Sequence, residues 1–232
     1  MRELHRGFMQ MQKDDMTFEE CRDNVCEMLH NDYPDMFPYG RVDTNITSLS
    51  KIMLKCDQVY QGTNLTQCTR CSYNVSTTIE TLVWDMFCHF QGSTQQWLDE
   101  CQSGYVGSNC PECDQAQVAS SRQYETAPSM IAVNTEGQRV PIDTEVSIEI
   151  EGGLICTYKI CGVVYLGDFH FVARAIDKDL MIWYYDGAST EARSGHTERK
   201  LKGTDKYNLL QCRNKQASLV LYVLDRTEQM SF

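Results

Sequence analysis

Two stretches of the chain carry a helix-capping signal followed by apolar residues at helical spacing. The first opens with Thr17-Phe-Glu-Glu20, where a threonine and a glutamate three positions apart form a capping box. Apolar side chains then recur until the breaker residues 31–34, at Phe18, Cys21, Val25, Met28 and Leu29. The second stretch opens at Ser93 and stops before Gly104. The pattern predicts one amphipathic helix in each stretch.

Farther along the chain the hydrophobic pattern takes the period of a β-strand. Val146, Ile148 and Ile150 alternate with polar residues, which is typical of a strand with one buried face. Residues 73–90 also favour strands, whereas residues 49–60 fit either a helix or a strand. Further apolar, β-branched runs occupy residues 158–165, 169–176, 181–185 and 219–224. The part of the chain after residue 128 is therefore predicted to form a sheet.

The composition indicates a globular protein and narrows its partners. The 232 residues are 42% apolar and 23% charged, which disfavours wholesale disorder. The net charge of −11 would repel nucleic acid and anionic membranes and would favour a basic partner surface. No apolar run is long enough to cross a bilayer, and residues 1–16 lack the apolar stretch of a secretory signal. We therefore expect a cytoplasmic or nuclear protein with no nucleic-acid or membrane partner.

Two CxxC pairs form the first candidate site. Cys68 and Cys71 make one pair, and Cys110 and Cys113 make the other. A two-residue spacer places both sulfurs on one side of a tight turn, so that two such turns can surround a zinc ion tetrahedrally. The alternative is four ordinary thiols, because a chain with 12 cysteines produces single CxxC pairs by composition alone. We predict a structural zinc ion held by the two pairs.

A histidine and an aspartate in the predicted sheet form the second candidate site. His170 follows a glycine turn at the start of one apolar run, and Asp186 stands at the exit of the next run. Adjacent antiparallel strands would bring the carboxylate beside the imidazole, where it would fix the ring tautomer and support general-base chemistry. The alternative is an ordinary strand histidine without a catalytic role.

The order of these landmarks resembles that of the ubiquitin-specific proteases, a family of deubiquitinating cysteine peptidases. In that family a CxxC, a helix and a second CxxC precede a proline-led strand and a tyrosine-led strand. A Gly-His-Tyr segment, a tryptophan followed by an acid, and a last strand complete the order. The matching features here are Cys68/Cys71, the helix with Trp97 and Leu98, Cys110/Cys113, and residues 128–133, 158–165, 169–171, 183–186 and 217–223.

The resemblance implies an α+β fold of the papain-like cysteine-peptidase kind, with an antiparallel palm sheet and a zinc-ribbon fingers insertion. It divides the chain into a helical N-terminal segment at 1–62, fingers at 63–127 and a palm at 128–232. It implies that the four cysteines bind structural zinc, that His170 is the catalytic base and that Asp186 orients it. The implied partner is ubiquitin or a ubiquitin-like protein. Its basic tail would face four acidic residues, Asp143, Glu145, Glu149 and Glu151.

The sequence also departs from the family pattern. It holds no Gly-Asn-Thr-Cys-Tyr-like Cys box, and Cys21 and Cys26 lie inside the first predicted helix rather than at its start. Phe169 stands where the family has glycine, and Phe171 replaces a tyrosine. Three hypotheses remain open: a deubiquitinating thiol protease without its nucleophile, a non-catalytic pseudoenzyme that binds a ubiquitin-like protein, and a zinc-stabilised interaction protein related to mobile elements.

Overall fold

The computed structural model of the chain describes residues 17–38, 46–53, 62–79, 82–86, 90–114, 117–186, 196–200 and 209–229. It divides the chain into a unit of residues 1–53 and a unit of residues 54–232. No helix in the described ranges is long and apolar enough to cross a membrane. The domain boundaries that the family resemblance implies after residues 62 and 127 stay predictions.

In the described part of the first unit, residues 17–38 and 46–53, there are two helices, α1 (Phe18–Asp32) and α2 (Ile46–Met53). The predicted capping box of α1 is confirmed. The Glu20 amide donates to the Thr17 hydroxyl at 3.2 Å, and the Thr17 amide donates to the Glu20 carboxylate at 2.8 Å. Two backbone donors that a helix start leaves open are therefore satisfied by side chains. Helix α2 begins just before the stretch whose pattern fitted either a helix or a strand.

Among the described residues, the second unit contains one helix, α3 (Thr94–Ser103), and all the strands. Ser93 caps α3 as predicted, and Gly104 closes it. The strands are β1 (Gly62–Cys68), β2 (Asn74–Thr78), β3 (Val83–Asp85), β4 (Tyr105–Asn109), β5 (Gln117–Tyr124), β6 (Met130–Asn134), β7 (Glu145–Ile150), β8 (Leu154–Gly167), β9 (His170–Ile176), β10 (Met181–Tyr185), β11 (His196–Lys200), β12 (Gln211–Cys212) and β13 (Lys215–Gln229).

These strands form two sheets, so the described part of the chain is mostly sheet with few helices. A four-stranded antiparallel sheet has the order β2-β1-β5-β4. A nine-stranded sheet has the order β11-β10-β9-β8-β13-β6-β3, with β7 beside β8 and β12 beside β13. Its neighbours are antiparallel except for the parallel pair of β3 and β6. The predicted sheet after residue 128 is confirmed.

Helix α3 protects the outer edge of β7. The side-chain amide of Gln95 bonds both backbone groups of Ser147, at 2.6 and 3.0 Å. Gln102, two turns later on the same face of the helix, does the same at Glu149, at 3.0 and 2.6 Å. Because residues 146, 148 and 150 turn their backbone groups toward β8, the two glutamines satisfy groups that an edge strand leaves open. Trp97 and Leu98 of the same helix lie in the core.

Candidate catalytic pair and metal centre

His170 begins β9 directly after a tight hairpin turn. Gly167 pairs with His170 across the turn, and Asp168 and Phe169 are its two central residues. Their φ angles of 53° and 55° are both positive, as a type I′ hairpin turn requires. The predicted strand therefore starts one residue later than the sequence pattern indicated, and Phe169 lies in the turn.

The register of β9 and β10 brings the predicted pair together. Tyr184 lies opposite Arg174, so the residue after the strand, Asp186, falls on the same sheet face as His170 and diagonal to it. The Nε2 atom of His170 lies 2.6 Å from Oδ1 of Asp186. The imidazole side chain is 35% exposed, whereas the carboxylate is 14% exposed. The Asp186 carboxylate is thus shielded from solvent, whereas the His170 imidazole that it contacts is still accessible to solvent and to a partner.

This contact determines which imidazole nitrogen is available for chemistry. Since a carboxylate accepts from Nε2, the proton of the neutral ring is held there and Nδ1 is left as the acceptor. The hydroxyl of Tyr184 donates to the other carboxylate oxygen of Asp186 at 3.2 Å. Tyr184 is buried, and the Arg213 guanidinium lies 4.5 Å from the centre of its ring. Both carboxylate oxygens of Asp186 are therefore bonded, which fixes the orientation of the carboxylate.

A second hairpin, between β12 and β13, supports the turn before His170. The Asn214 side-chain amide donates to the Asp168 carboxylate, and the Lys215 ammonium donates to the Gly167 carbonyl at 2.8 Å. A Cβ atom built on Gly167 would lie 3.1 Å from the Lys215 backbone, so the close approach of the two hairpins favours glycine there. The sequence pattern did not indicate this support, because the residues involved are polar and far apart in the chain.

The four cysteines of the two CxxC pairs meet at one end of the small sheet. Cys68 is the last residue of β1, and Cys110 directly follows β4. Strands β1 and β4 lie on the two sides of β5, where Cys68 pairs with Val118 and Asn109 pairs with Gln117. The Sγ atoms of Cys68 and Cys113 are 3.8 Å apart, and those of Cys71 and Cys110 are 3.5 Å apart. All four sulfurs lie within 4.8 Å of one another.

These distances fit a tetrahedral metal site. Zinc–sulfur bonds of about 2.3 Å would separate tetrahedral sulfurs by ~3.8 Å. Backbone amides of Arg70 and Cys71 donate to the Cys68 sulfur and lower the pKa of that thiol to about 7. A backbone hydrogen bond from Tyr73 acts to lower the pKa of Cys71, but burial and the three neighbouring sulfurs raise it to about 12. Four thiolates at this spacing need a bound cation, and the four cysteines can hold a zinc ion.

The acidic residues expected to face a basic tail have different surroundings. The Asp143 carboxylate accepts a hydrogen bond from the backbone amide of Gln95 at 2.9 Å and so stabilises the start of α3. Glu145 lies 3.8 Å from Arg226. Glu149 and Glu151 are exposed near the edge that α3 covers. Asp143 therefore has a structural partner, and the four residues do not form one free acidic surface.

Cys21 and Cys26 belong to α1, in the other unit. Cys26 is exposed and Cys101 and Cys212 are buried, and none of these three lies in the four-sulfur cluster. The side chain of Cys21 lies outside the described residues.

No protein-family model matches the chain, and no curated protein matches it. Among solved structures, a chain of a SAGA DUB module (Ubp8/Sgf11/Sus1/Sgf73) bound to monoubiquitin is similar, with a TM-score of 0.56 and 12% identity. The match covers 90% of this chain and 54% of that one. The same module bound to ubiquitin aldehyde gives a TM-score of 0.56, 10% identity, and coverage of 92% and 57%.

A yeast SAGA DUBm with a variant Sgf73 is also similar, with a TM-score of 0.51, 12% identity, and coverage of 91% and 52%. At such identities the likeness shows the fold, which is similar to that of the deubiquitinase-module chains. The present chain spans about half the length of the solved chains it matches.

Proposed function

We propose that this chain is a ubiquitin-specific-protease-like domain, made of a palm, the nine-stranded sheet, and zinc-ribbon fingers, the four-stranded sheet. It binds ubiquitin or a ubiquitin-like protein and carries the base and the orienting acid of a thiol-dependent deubiquitination. It does not complete the reaction by itself, because its sequence holds no Cys box to provide the nucleophile.

The observation that carries this proposal is the contact of 2.6 Å between His170 Nε2 and Asp186 Oδ1. The strand pattern and the family resemblance both pointed to these two residues, which are 16 positions apart, with His170 in β9 and Asp186 just after β10. Their contact is the one that a base and the acid that orients it require. The fold likeness to chains of a deubiquitinase module and the four-sulfur cluster support the same assignment.

The proposed proton transfer uses Nδ1, the imidazole nitrogen of His170 that does not contact Asp186. With a thiol beside Nδ1, His170 accepts the thiol proton, and Asp186 stabilises the resulting imidazolium through Nε2. The thiolate then attacks the carbonyl carbon of the last glycine of ubiquitin, the C–N bond after that carbon breaks, and the departing amine takes a proton from His170. Water, deprotonated by the same imidazole, hydrolyses the thioester and restores the thiol.

Zinc has a structural role in this proposal. Cys68, Cys71, Cys110 and Cys113 would hold it, and it would tie the β1–β2 turn to the segment between β4 and β5. The exposed face of β2, whose five residues are all exposed, would then project from a fixed sheet.

A second candidate function is non-catalytic binding, in which the same surface holds a ubiquitin-like protein without cleaving it. The absence of a Cys box from the sequence favours this candidate. Both candidates predict that this chain alone binds the partner and forms no covalent bond with it, so the two experiments below test the shared binding and the missing nucleophile.

The first experiment is a titration of ¹⁵N-labelled ubiquitin with the full chain, followed by NMR. We expect shifts of ubiquitin resonances, and we expect weaker binding of ubiquitin that lacks its C-terminal tail. The second experiment treats the chain with a ubiquitin that ends in a thiol-reactive electrophile, and we expect no covalent adduct. An adduct would contradict the missing nucleophile, and the absence of any ubiquitin shift at high concentration would contradict the proposed function.

A further inference from the structure

The tip of the β12–β13 hairpin contacts the surroundings of both members of the candidate catalytic pair. On the carboxylate side, the Arg213 guanidinium lies 4.5 Å from the ring centre of Tyr184, whose hydroxyl donates to the carboxylate. On the imidazole side, the next two residues, Asn214 and Lys215, donate hydrogen bonds to the turn that precedes His170. Three consecutive residues of one hairpin therefore link the two halves of the pair.

Lys215 is buried although it carries a charge. Its relative exposure is 8%, and its ammonium donates to the Gly167 carbonyl at 2.8 Å. Among the described residues, no carboxylate forms an ion pair with it. The transfer of an ammonium from water into a protein is costly unless a counter-charge compensates it, and a neutral carbonyl compensates it less than a carboxylate would. The stability of the fold alone would therefore favour an apolar side chain, such as methionine, at this position.

The carbonyl that accepts from Lys215 lies at the base of the turn that leads to His170. Gly167 pairs with His170 across this two-residue turn. Strands β8 and β13 pair as far as Leu166 and Gln216, so that Lys215 lies directly beyond the last pair, beside Gly167. The backbones approach so closely there that a Cβ atom on Gly167 would lie 3.1 Å from the Lys215 Cα. The hydrogen bond and this close packing together fix the base of the turn against β13.

The contact between His170 and Asp186 depends on where this turn is held. Their 2.6 Å hydrogen bond weakens steeply outside a narrow range of distance and angle, so a shift of the turn by about 1 Å would weaken it. The preference of the ring for the Nε2–H tautomer would weaken with it. We propose that Lys215 is a positioning residue that holds the His170 ring within reach of its carboxylate partner, and that Asn214 assists it. This inference rests on the proposed function, in which the ring is the base; Lys215 itself contacts no reacting atom.

The test compares Lys215→Met with Lys215→Arg in the full chain. Methionine keeps an apolar stem and removes the ammonium, so the His170 ring should lose its single Nε2–H tautomer in long-range ¹H–¹⁵N NMR. The midpoint of thermal unfolding should change little, because the lost hydrogen bond and the relieved burial of a charge oppose each other. Arginine retains a cationic donor and should keep the tautomer. Lys159→Met, at a β8 lysine whose side chain is 44% exposed, is the matched control and should keep both the tautomer and the midpoint.

Asn214→Ala provides a second test, because Asn214 is exposed and donates to the same turn at Asp168. It should give a smaller loss of the Nε2–H tautomer, and it decides the question if Lys215→Met does not fold. The inference is overturned if Lys215→Met folds and keeps the tautomer. It is also overturned if Lys215→Arg loses the tautomer as completely as Lys215→Met, since the cationic donor would then not be what holds the ring.

The tautomer is measured without ubiquitin, so the inference and the proposed function can fail separately. If the unchanged chain binds ubiquitin and Lys215→Met keeps the tautomer, the inference is overturned while the proposed function stands. If the unchanged chain binds no ubiquitin and Lys215→Met loses the tautomer, the proposed function fails while the placement of the ring by Lys215 stands.

Discussion

His170 owes its orientation to residues at the end of the adjacent strand β10 and in the hairpin between β12 and β13. Asp186 fixes one ring nitrogen, Tyr184 holds the second oxygen of Asp186, and Arg213 lies over the tyrosine ring. The Arg213 guanidinium, the Tyr184 ring, the Asp186 carboxylate and the His170 imidazole thus form a row of successive contacts. Tyr184 is buried and the Asp186 carboxylate is largely shielded, whereas the His170 side chain is 35% exposed.

A change at Asp186 should alter the tautomer of His170. In the unchanged chain the proton of the neutral ring resides on Nε2, which long-range ¹H–¹⁵N NMR detects through the two nitrogen shifts. Asp186→Ala should give a mixture of tautomers and lower the free energy of unfolding by about 1 kcal/mol. Asp186→Asn keeps an acceptor oxygen and should retain the Nε2–H tautomer. An unchanged tautomer in Asp186→Ala would show that the carboxylate does not orient the ring.

The two thiols of the first CxxC pair should differ in reactivity when metal is removed. The pKa of Cys68 is about 7 and that of Cys71 is about 12, so above neutral pH only Cys68 is mostly thiolate. Alkylation by iodoacetamide at pH 8 should therefore modify Cys68 first, and its rate should fall as the pH drops through 7. Peptide mass spectrometry measures both rates. Equal rates for the two thiols would contradict the role of the amide donors, and zinc should protect both thiols.

Among the elements, α3 and β7 form a contact that closes a sheet edge with side chains. Two glutamines, two helical turns apart, match the two-residue repeat of outward backbone groups on the strand. Each glutamine replaces the two hydrogen bonds that another strand would provide. The edge is thereby closed to pairing with another chain.

Removal of these glutamines should open the edge. Gln95→Ala should lower the free energy of unfolding by about 1–2 kcal/mol, because it leaves partly buried backbone groups of Ser147 unpaired. Gln102→Ala should cost less, since water reaches Glu149. Hydrogen exchange at the Ser147 and Glu149 amides should accelerate in the respective variants. Glu100→Ala, at an exposed position of the same helix, is the control, and a loss as large as that of Gln95→Ala would contradict this account.

The four-stranded sheet should depend on its metal. Cys110→Ser removes a buried ligand and should reduce bound zinc from about one equivalent to near none. Hydrogen exchange in β1 and β5 should then accelerate. Cys161→Ser, at a half-buried thiol outside the cluster, should keep the zinc. A metal-free chain with unchanged exchange in these strands would show that the sheet does not need the ion.

The sequence predicted elements where a local signal was strong and missed those that depend on distant partners. Caps and apolar periods predicted α1 and α3, and alternation predicted β7. Strands β1 and β5 were missed, because residues such as Thr63, Asn64 and Ser120 have no apolar pattern, and the two strands pair with each other across a long stretch of chain. At the site, motif order indicated His170 and Asp186. Tyr184 was missed, since an aromatic in an apolar strand is ordinarily a core residue.

For the whole molecule, the candidate features all belong to one unit. The pair of His170 and Asp186, the four-sulfur cluster, both sheets and α3 lie within residues 54–232. The large core cluster begins at Ile79 and includes residues from both sheets and α3. The unit therefore has the internal contacts that an independently folding body needs.

A chain of residues 54–232 should consequently fold without residues 1–53. We expect cooperative unfolding, about one bound zinc, and the same His170 tautomer as in the full chain. Circular dichroism, metal analysis and imidazole NMR provide the three measurements. Loss of cooperative unfolding in the shorter chain would show that residues 1–53 are needed for the fold of the rest.

Strand β13 lies between β6 and β8, and both partners come from much earlier in the chain. Until β13 is in place, the strands on its two sides have no hydrogen bonds to each other, and the inner edges of β6 and β8 stay open. Pairing between such distant segments is slow because long loops must close first. Refolding from denaturant should therefore pass through an intermediate with unpaired strand edges that can aggregate. Dilution or a chaperone should raise the refolding yield at that stage.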